Sequence, residues 1–462
     1  MPPRDQTGEP VVSRRLTVTK TAPHPASERG SRCDAFIGAL VAIGLIALAI
    51  RLITALSSPE PAFISDPTFF RLQGMLLATG RGFADPFVWS SQHRIVATAF
   101  HPPLFSTFLG GIYRMGFHSV AAARVGSCLL GTATVVFVGL TGREVSGRRV
   151  GLVAASIAAL TPNLWVPDGA LTSEGLATTF VAATLWLAYR FLRNPRRGTA
   201  IWLGISIGLA GLTRPETLAL AAIVVVPITL HLALPIRRRL SLVAIAFLAM
   251  LIVIAPWTIR SATLFERPVL ISTNGQAVIG YANCPSTYEG RSLGSWLITC
   301  PGENAGLGVV RSSVHADESV IAFERAQEGL RFLNRHTGRF LTTVLWARIG
   351  RTWSVFHPFA VKESAANEGK TRNEMVVGVL ALWASLALGV VGVVALARRK
   401  TVPIWPLLAP CAIATIISVL AYGTPRFRVI AEPSIAILAA VGVTAILGRL
   451  IRSREDLPSS AR

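Results

Sequence analysis

Residues 237–257 read RRRLSLVAIAFLAMLIVIAPW, three arginines followed by an apolar run without a charged side chain. The run matches the roughly 20 residues that a helix needs to cross the hydrocarbon core of a bilayer. A helix can do so because it satisfies its own backbone hydrogen bonds, which an irregular segment cannot. The stretch therefore predicts a membrane-spanning helix that begins at a basic loop.

The same contrast between basic gaps and apolar runs recurs along the chain. Of the 462 residues, 52% are hydrophobic and 15% are charged, whereas a soluble domain carries about 25% charged residues. We predict ten spans, at residues 35–56, 121–140, 150–166, 176–192, 201–212, 218–234, 240–257, 375–397, 402–421 and 429–450. The predicted fold class is an all-α polytopic membrane protein.

The arginines in the short gaps predict the sidedness of the protein. The basic gaps lie at residues 143–149, 190–197, 237–239 and 398–400. Because cytoplasmic loops are enriched in Lys and Arg, we expect a cytoplasmic N-terminus in the plasma membrane. Residues 1–34 are predicted to be a disordered basic tail, and residues 452–462 a second cytoplasmic tail. The net charge of +21 does not indicate a nucleic-acid partner, since the arginines lie between spans rather than on one face.

Two long segments are expected outside the cytoplasm. The predicted layout is an N-terminal transmembrane module at residues 35–257 with a first outer loop at 57–118, a mixed loop subdomain at 258–373, and C-terminal spans at 374–451. Residues 101–117, 319–340 and 340–356 have apolar positions at helical spacing. Such amphipathic helices either lie at the membrane surface or pack into a small subdomain, and the sequence leaves both interpretations open.

Two of the five cysteines, Cys284 and Cys300, share the second outer segment. A cysteine pair outside the cytoplasm is typical of a disulfide, and a zinc site is less favoured because neither residue belongs to a close Cys/His pair. No metal-ligand cluster stands out in the sequence, so we predict no metal site, although a divalent metal remains open.

Ionisable residues near the spans gather at the predicted outer boundary. They are Arg51, Arg124, Asp168, Glu174, Arg214, Glu216, Arg260, Arg426 and Arg428. Charges in apolar segments are costly and tend to mark function, although each could simply be an end residue that reaches toward the headgroups. Both signs recur at the same level, which favours a shared site.

The first outer loop adds Asp66 and His101 to this boundary. Asp66 precedes Pro67 and an apolar pattern at helical spacing, so the carboxylate is either a helix cap or a general base, and one residue can be both. His101 precedes two prolines, and it is either a structural hydrogen-bonding residue or a part of the site.

The order of these motifs resembles the GT-C class of membrane glycosyltransferases, in particular the protein O-mannosyltransferases and aminoarabinose lipid A transferases (glycosyltransferase family 39), of actinobacterial type. The motifs are Asp66, HPPL at residues 101–104, ARVGS at 123–127, GREVSGRR at 142–149, SEGL at 173–176, GLTRPE at 211–216, NCP at 283–285, YEG at 288–290 and RFRVIAEP at 426–433. The resemblance covers roughly residues 35–450. It implies sugar transfer from a polyprenyl-phosphate carrier to an acceptor outside the cytoplasm.

By this resemblance, Asp66 is the base, and Asp168 or Glu174 is a second acidic position. The chain departs from the frequent paired-acid form because Pro67 follows Asp66. We expect His101, Asp168, Glu174 and Glu216 near the acceptor and donor, with membrane lipids as surroundings. We expect the lipid phosphate to bind arginines, namely Arg426 and Arg428, with Arg124 and Arg214 as further candidates.

Two other classes of protein remain alternatives. A lipid or sugar transporter would place ionisable groups near mid-membrane and carry two similar halves with broken helices. A non-catalytic scaffold of the cell envelope would bind partners without needing Asp66 for chemistry.

Overall fold

The computed structural model of the protein describes residues 26–60, 62, 65–303, 317–359 and 371–455. Helices of the first half are α1 Ala26–Ser57, α2 Asp66–Ala78, α3 Pro86–Gln92, α4 Pro103–Arg114, α5 Val120–Ser146, α6 Arg148–Leu160, α7 Pro162–Ala170, α8 Ser173–Arg193, α9 Arg197–Gly211, α10 Val226–His231 and α11 Ile236–Leu264. A 3-10 turn at Pro215–Leu218 and a π turn at Ala221–Val225 lead into α10.

The second half continues with shorter helices before the last long ones. They are α12 Asn274–Ala282, α13 Pro285–Tyr288, α14 Cys300–Glu303, α15 Glu318–Arg335, α16 Thr337–Arg339, α17 Leu345–Thr352, α18 Arg372–Arg399, α19 Trp405–Leu420, α20 Pro425–Arg428 and α21 Glu432–Glu455. No strand occurs within the described ranges, where one isolated bridge joins Ala84 and Ala97. The all-α polytopic fold class is therefore confirmed.

Six of the described helices are long and apolar enough to cross a membrane. They comprise Ala35–Ser57, Val120–Ser146, Ser173–Arg193, Ile236–Leu264, Asn373–Arg399 and Pro425–Ile451. Helices α6 and α7 would together form a seventh, bent by 46° where Pro162 interrupts the helix. The other predicted spans coincide with α9, with the interrupted segment Pro215–His231 and with α19, all shorter than a full crossing. The count of ten spans therefore stays a prediction.

Local sequence signals explain where the helices begin and how closely they pack. Ser119 caps α5 by accepting a hydrogen bond from the Ala122 backbone N–H, and Thr371 forms a capping box with Glu374 at α18. Helices α18 and α21 cross closely because any side chain on Gly392 would collide with the backbone of α21.

The two outer segments are helical where the structure describes them. Helix α4 packs on α2 through a buried cluster that includes Phe70, Phe105 and Leu109, and the predicted helix at 319–340 is confirmed as α15 and α16. The disulfide between Cys284 and Cys300 is confirmed.

Helix α1 begins at Ala26, inside the predicted tail, whereas residues 1–25 and 456–462 lie outside the described residues. The domain boundaries remain predictions.

One arginine of the second outer segment is buried and bound by backbone carbonyls. Arg348 lies in the segment 340–356, whose helical spacing fits either a surface helix or a packed subdomain, and its side chain is fully buried. Its guanidinium donates to the Val419 carbonyl at 2.9 Å, the Ala282 carbonyl at 2.7 Å and Asn283 Oδ1 at 2.9 Å. Burial lowers the pKa of Arg348 to about 10. The residue therefore holds α17 against α12 and α19 rather than facing headgroups.

Candidate functional site

Asp66 lies at the start of α2 and binds an arginine from the far end of the chain. Arg426 Nη1 donates to Asp66 Oδ2 at 2.8 Å, and His101 Nε2 lies 3.4 Å from Asp66 Oδ1. The expectation that Asp66 caps the helix is wrong, because Ser65 occupies the cap position and Asp66 already belongs to the first turn. The carboxylate is therefore directed by its ionic partners rather than by the helix backbone.

His101 is held by the aromatic cluster in which it lies. Its ring is 4.8 Å from the ring of Phe69, 4.7 Å from that of Phe70 and 4.8 Å from that of Phe100, centre to centre. This packing fixes the imidazole beside Asp66 and leaves little freedom for the ring to turn. The packing therefore supports the structural interpretation of His101, and its part in the site stays a prediction.

Arg426 also binds a second, deeply buried carboxylate. Its Nε donates to Glu174 Oε1 at 2.6 Å, and Arg214 Nη1 donates to the same oxygen at 2.8 Å. Arg214 Nε in turn donates to Glu216 Oε1 at 2.6 Å. Three acids and two arginines thus form one network, which we call the outer ionic network: Asp66, Glu174, Glu216, Arg214 and Arg426.

The outer ionic network borders an open cavity of about 380 Å³. The lining includes Asp66, His101, Ser173, Arg214, Glu216, Asn274, Tyr422, Arg426 and Phe427. The Asp66 side chain is 33% exposed, whereas Glu174 is 1% exposed behind Arg426. A molecule in the cavity can therefore reach the Asp66 carboxylate directly, while Glu174 acts on it only through the arginines.

The ionisation of Asp66 follows from its partners. Partial burial acts to raise the pKa of Asp66, but the positive charge of Arg426 and the interaction with His101 outweigh it. The pKa of this carboxyl therefore lies well below its usual range, and Asp66 is an anion at neutral pH.

Three of the predicted site residues lie away from the cavity. Arg124 Nε donates to the Gly169 carbonyl at 3.0 Å and Nη2 to the Pro59 carbonyl at 2.8 Å. Asp168 forms a buried ion pair with Arg51, and Arg428 is buried with Glu432 at 2.9 Å. Of the two alternatives for a second acidic position, the structure brings Glu174 and not Asp168 to the outer ionic network.

A further acid, which sequence reasoning missed, ties the site to the second outer segment. Glu318 accepts hydrogen bonds from the Ala99 N–H at 3.2 Å and from the hydroxyls of Thr98 and Thr273. Burial raises the pKa of Glu318 against these bonds. Glu318 therefore connects α12, which lines the cavity, with the loop that contains His101. In the sequence Glu318 resembles any acidic residue in the first turn of a helix, so no pattern predicts this role.

The cavity is also lined by uncharged residues, which a pattern of charged positions does not reveal. Tyr422 and Asn274 line it, and the ring of Phe427 lies 5.2 Å from the Arg214 guanidinium carbon. An aromatic wall beside arginines and carboxylates suits a polar ligand with an apolar ring face, such as a sugar.

A bound metal ion requires several oxygen, nitrogen or sulfur ligands that converge on one point. Across the described ranges, no group of three or more His, Cys, Asp or Glu side chains is arranged to hold a metal ion. In the outer ionic network the Arg426 guanidinium stands between Asp66 and Glu174. The donor set therefore fits a guanidinium-bridged acid pair rather than a carboxylate metal site.

Comparisons with known proteins agree with this architecture. Residues 100–259 match the family of dolichyl-phosphate-mannose-protein mannosyltransferases. No curated protein sequence matches the chain significantly.

Among solved structures, the chain is similar to the oligosaccharyltransferase AglB of Archaeoglobus fulgidus in complex with an inhibitory peptide and a dolichol-phosphate. That match has 15% identity and a TM-score of 0.54, and covers 92% of this chain and 52% of AglB. A second AglB structure, tethered with an acceptor peptide, is 16% identical to the chain, with a TM-score of 0.54. This match covers 91% of this chain and 50% of AglB.

The structure of ArnT from Cupriavidus metallidurans bound to undecaprenyl phosphate is 15% identical to the chain, with a TM-score of 0.40. The match covers 92% of this chain and 81% of ArnT.

The chain spans about half the length of AglB. The family match over residues 100–259 and the similarity of the fold to AglB both agree with the resemblance to the GT-C glycosyltransferases that the sequence indicates.

Proposed function

We propose that this protein transfers a sugar from a polyprenyl-phosphate-linked donor to a hydroxyl-bearing acceptor outside the cytoplasm, with Asp66 as the general base. The observation that carries the proposal is the contact of Asp66 with Arg426 at the wall of one cavity. An ionised carboxylate and a guanidinium at one open site can serve the two ends of a displacement, the attacking hydroxyl and the leaving phosphate.

Arg426 and Arg214 are the arginines best placed for the donor phosphate. Both line the cavity, and the planar guanidinium suits phosphate oxygens. Arg124 and Arg428 are engaged away from the cavity, so we now assign them to structure rather than to phosphate binding. The family match and the dolichol-phosphate in the AglB structure support a lipid-linked donor.

The transfer is a single displacement. The acceptor oxygen attacks the anomeric carbon while its proton passes to Asp66, and the bond from that carbon to the phosphate oxygen breaks. The electron pair of this bond remains on the phosphate, whose charge Arg426 and Arg214 neutralise. One displacement inverts the configuration at the anomeric carbon.

The shared arginine would couple donor binding to base strength. In the resting site, Arg426 holds the pKa of Asp66 far below its usual range, which makes Asp66 a weak base. A phosphate that takes over part of the Arg426 charge would let that pKa rise toward its ordinary value. Asp66 would thus become an effective proton acceptor only when the donor is bound.

The alternative of a lipid or sugar transporter has less support from the structure. The outer ionic network lies at the N-terminal ends of the candidate spans Ser173–Arg193 and Pro425–Ile451. A transport pathway would instead require ionisable groups near mid-membrane.

The proposal is tested by incubating the purified protein in a bilayer with radiolabelled polyprenyl-phosphate sugars, nucleotide sugars and a cell-envelope extract. We expect label to pass to an acceptor from one of the polyprenyl-phosphate sugars and from none of the nucleotide sugars. Label transfer from nucleotide sugars alone, or lipid movement without transfer, would contradict the proposal.

A further inference from the structure

A second cavity, of about 420 Å³, lies where three candidate membrane spans end. The spans are Val120–Ser146, Ser173–Arg193 and Asn373–Arg399, and the last residue of each lines the cavity. Helix α8 joins the two sites, because Glu174 is in its first turn and Arg193 in its last. At 1.5 Å per residue the sites are about 29 Å apart along the helix, roughly the thickness of a bilayer core.

The described lining of this cavity includes four arginines and no acid. The arginines come from separate elements: Arg143 from α5, Arg148 from α6, Arg193 from α8 and Arg399 from α18. The hydroxyls of Ser146 and Thr401 complete the polar lining. A nearby acid, Glu144, pairs with Arg193 at 3.0 Å, and the lining that the structure describes still keeps a net positive charge.

The start of α6 adds a second feature that attracts anions. This helix has 13 residues, and its cap position is Gly147, which has φ of +91° and provides no capping side chain. Among the described residues no cap side chain accepts from the first N–H groups of the helix, and the positive end of the helix dipole adds to the arginines. Backbone N–H groups and guanidinium groups at one cavity are the two kinds of donor that bind phosphate oxygens.

We propose that this cavity binds the phosphate headgroup of an anionic membrane lipid, at the membrane boundary opposite the outer ionic network. A lipid is the favoured source of the phosphate because the cavity opens where apolar helices end, so acyl chains can lie along the spans while the headgroup enters. The sequence predicts this boundary to be cytoplasmic. The proposal is independent of the proposed transferase reaction.

The chain provides a matched control for the test. Arg149 and Arg398 are exposed neighbours of Arg148 and Arg399, and they do not line the cavity. The cavity variant is Arg148→Gln with Arg399→Gln, and the control is Arg149→Gln with Arg398→Gln. Both remove the same charge from the same two helix ends, so general attraction to an anionic surface weakens equally in both.

The full-length proteins are placed in nanodiscs of phosphatidylcholine with a minor share of phosphatidylglycerol, and the phosphatidylglycerol retained after extraction is counted by native mass spectrometry. We expect the cavity variant to retain on the order of tenfold less phosphatidylglycerol than wild type, and the control to stay close to wild type. Equal losses in both variants would overturn the proposal, since they would reflect surface charge alone.

A parallel arm separates a lipid from free phosphate. Wild-type protein in pure phosphatidylcholine discs is titrated with inorganic phosphate and followed by thermal stability. Stabilisation by inorganic phosphate, without preference for phosphatidylglycerol in the first arm, would overturn the assignment to a lipid. If the double variant does not fold, Arg399→Gln is compared with Arg398→Gln alone, with the same expected direction.

Discussion

Replacing Arg426 by glutamine removes the guanidinium that joins Asp66 to Glu174. The change leaves Glu174, which is 1% exposed, with its bond to Arg214 at 2.8 Å, and leaves Asp66 with His101. Breaking a buried ion pair by removing one partner costs about 3–5 kcal/mol. Because one partner remains for each carboxylate and Asp66 is partly exposed, we expect a loss of about 2–3 kcal/mol in the free energy of unfolding.

A second substitution separates stability from catalysis. Glu174→Gln in the Arg426→Gln background removes the buried carboxylate left with one arginine, so we expect it to recover about 1–2 kcal/mol. Arg426→Gln removes the cation at position 426 that would bind the donor phosphate, so we expect transfer activity to be lost in the single variant. The double variant should not recover it, because the same cation is missing.

The assay is reversible denaturation in one defined detergent, combined with transfer from a polyprenyl-phosphate sugar. Arg335→Gln on α15, an exposed arginine distant in sequence from the network, serves as the control and should change stability by less than about 0.5 kcal/mol. The network would be refuted if Arg426→Gln were as stable as this control. It would also be refuted if the double variant lost as much stability as Arg426→Gln and Glu174→Gln lose separately when their losses are added.

Three further predictions concern pH, burial and redox state. Asp66 is ionised in the resting site, and we expect its pKa to rise when the donor phosphate shares Arg426. Because kcat/KM reports the free enzyme and kcat the donor-bound enzyme, the loss of kcat at acid pH should begin at a higher pH than the loss of kcat/KM. Acid limbs that coincide would contradict the coupling. Arg348→Met removes three buried hydrogen bonds from a charged donor, and we expect a stability loss of about 3–5 kcal/mol in the same denaturation assay. A loss under about 1 kcal/mol would contradict its buried role. Reducing the disulfide Cys284–Cys300, whose partners are 16 positions apart, should cost about 3 kcal/mol, and an unchanged melting temperature with a reductant would contradict it.

The apolar runs of the sequence predict the long helices because length and composition alone decide whether a helix can cross a bilayer. The prediction is weakest where proline interrupts a run. The segment predicted as a span at 218–234 is split into a 3-10 turn, a π turn and a short helix, and α6 bends into α7 at Pro162. A hydropathy pattern does not reveal such breaks, since the residues on both sides remain apolar.

The site shows a similar limit. Counting spans predicts that Asp66 and Arg426, 360 positions apart, lie at one boundary, and the structure places them in contact. Counting spans cannot tell which of Arg426 and Arg428 lines the cavity, because it gives the depth of a residue and not the direction of its side chain. Residues two apart on a helix point in nearly opposite directions. Arg426 faces the cavity, and Arg428 faces the interior and Glu432. Charge alone also gives no signal for Tyr422.

The most direct test of the proposed function is the transfer rate of Asp66→Asn. Glu60→Gln, an exposed acid of the same outer loop, is the matched control. We predict that Asp66→Asn folds, still binds the polyprenyl-phosphate sugar, and transfers it roughly 10²–10⁴ times more slowly, whereas Glu60→Gln transfers at the wild-type rate. A folded Asp66→Asn protein with the wild-type transfer rate would contradict the account.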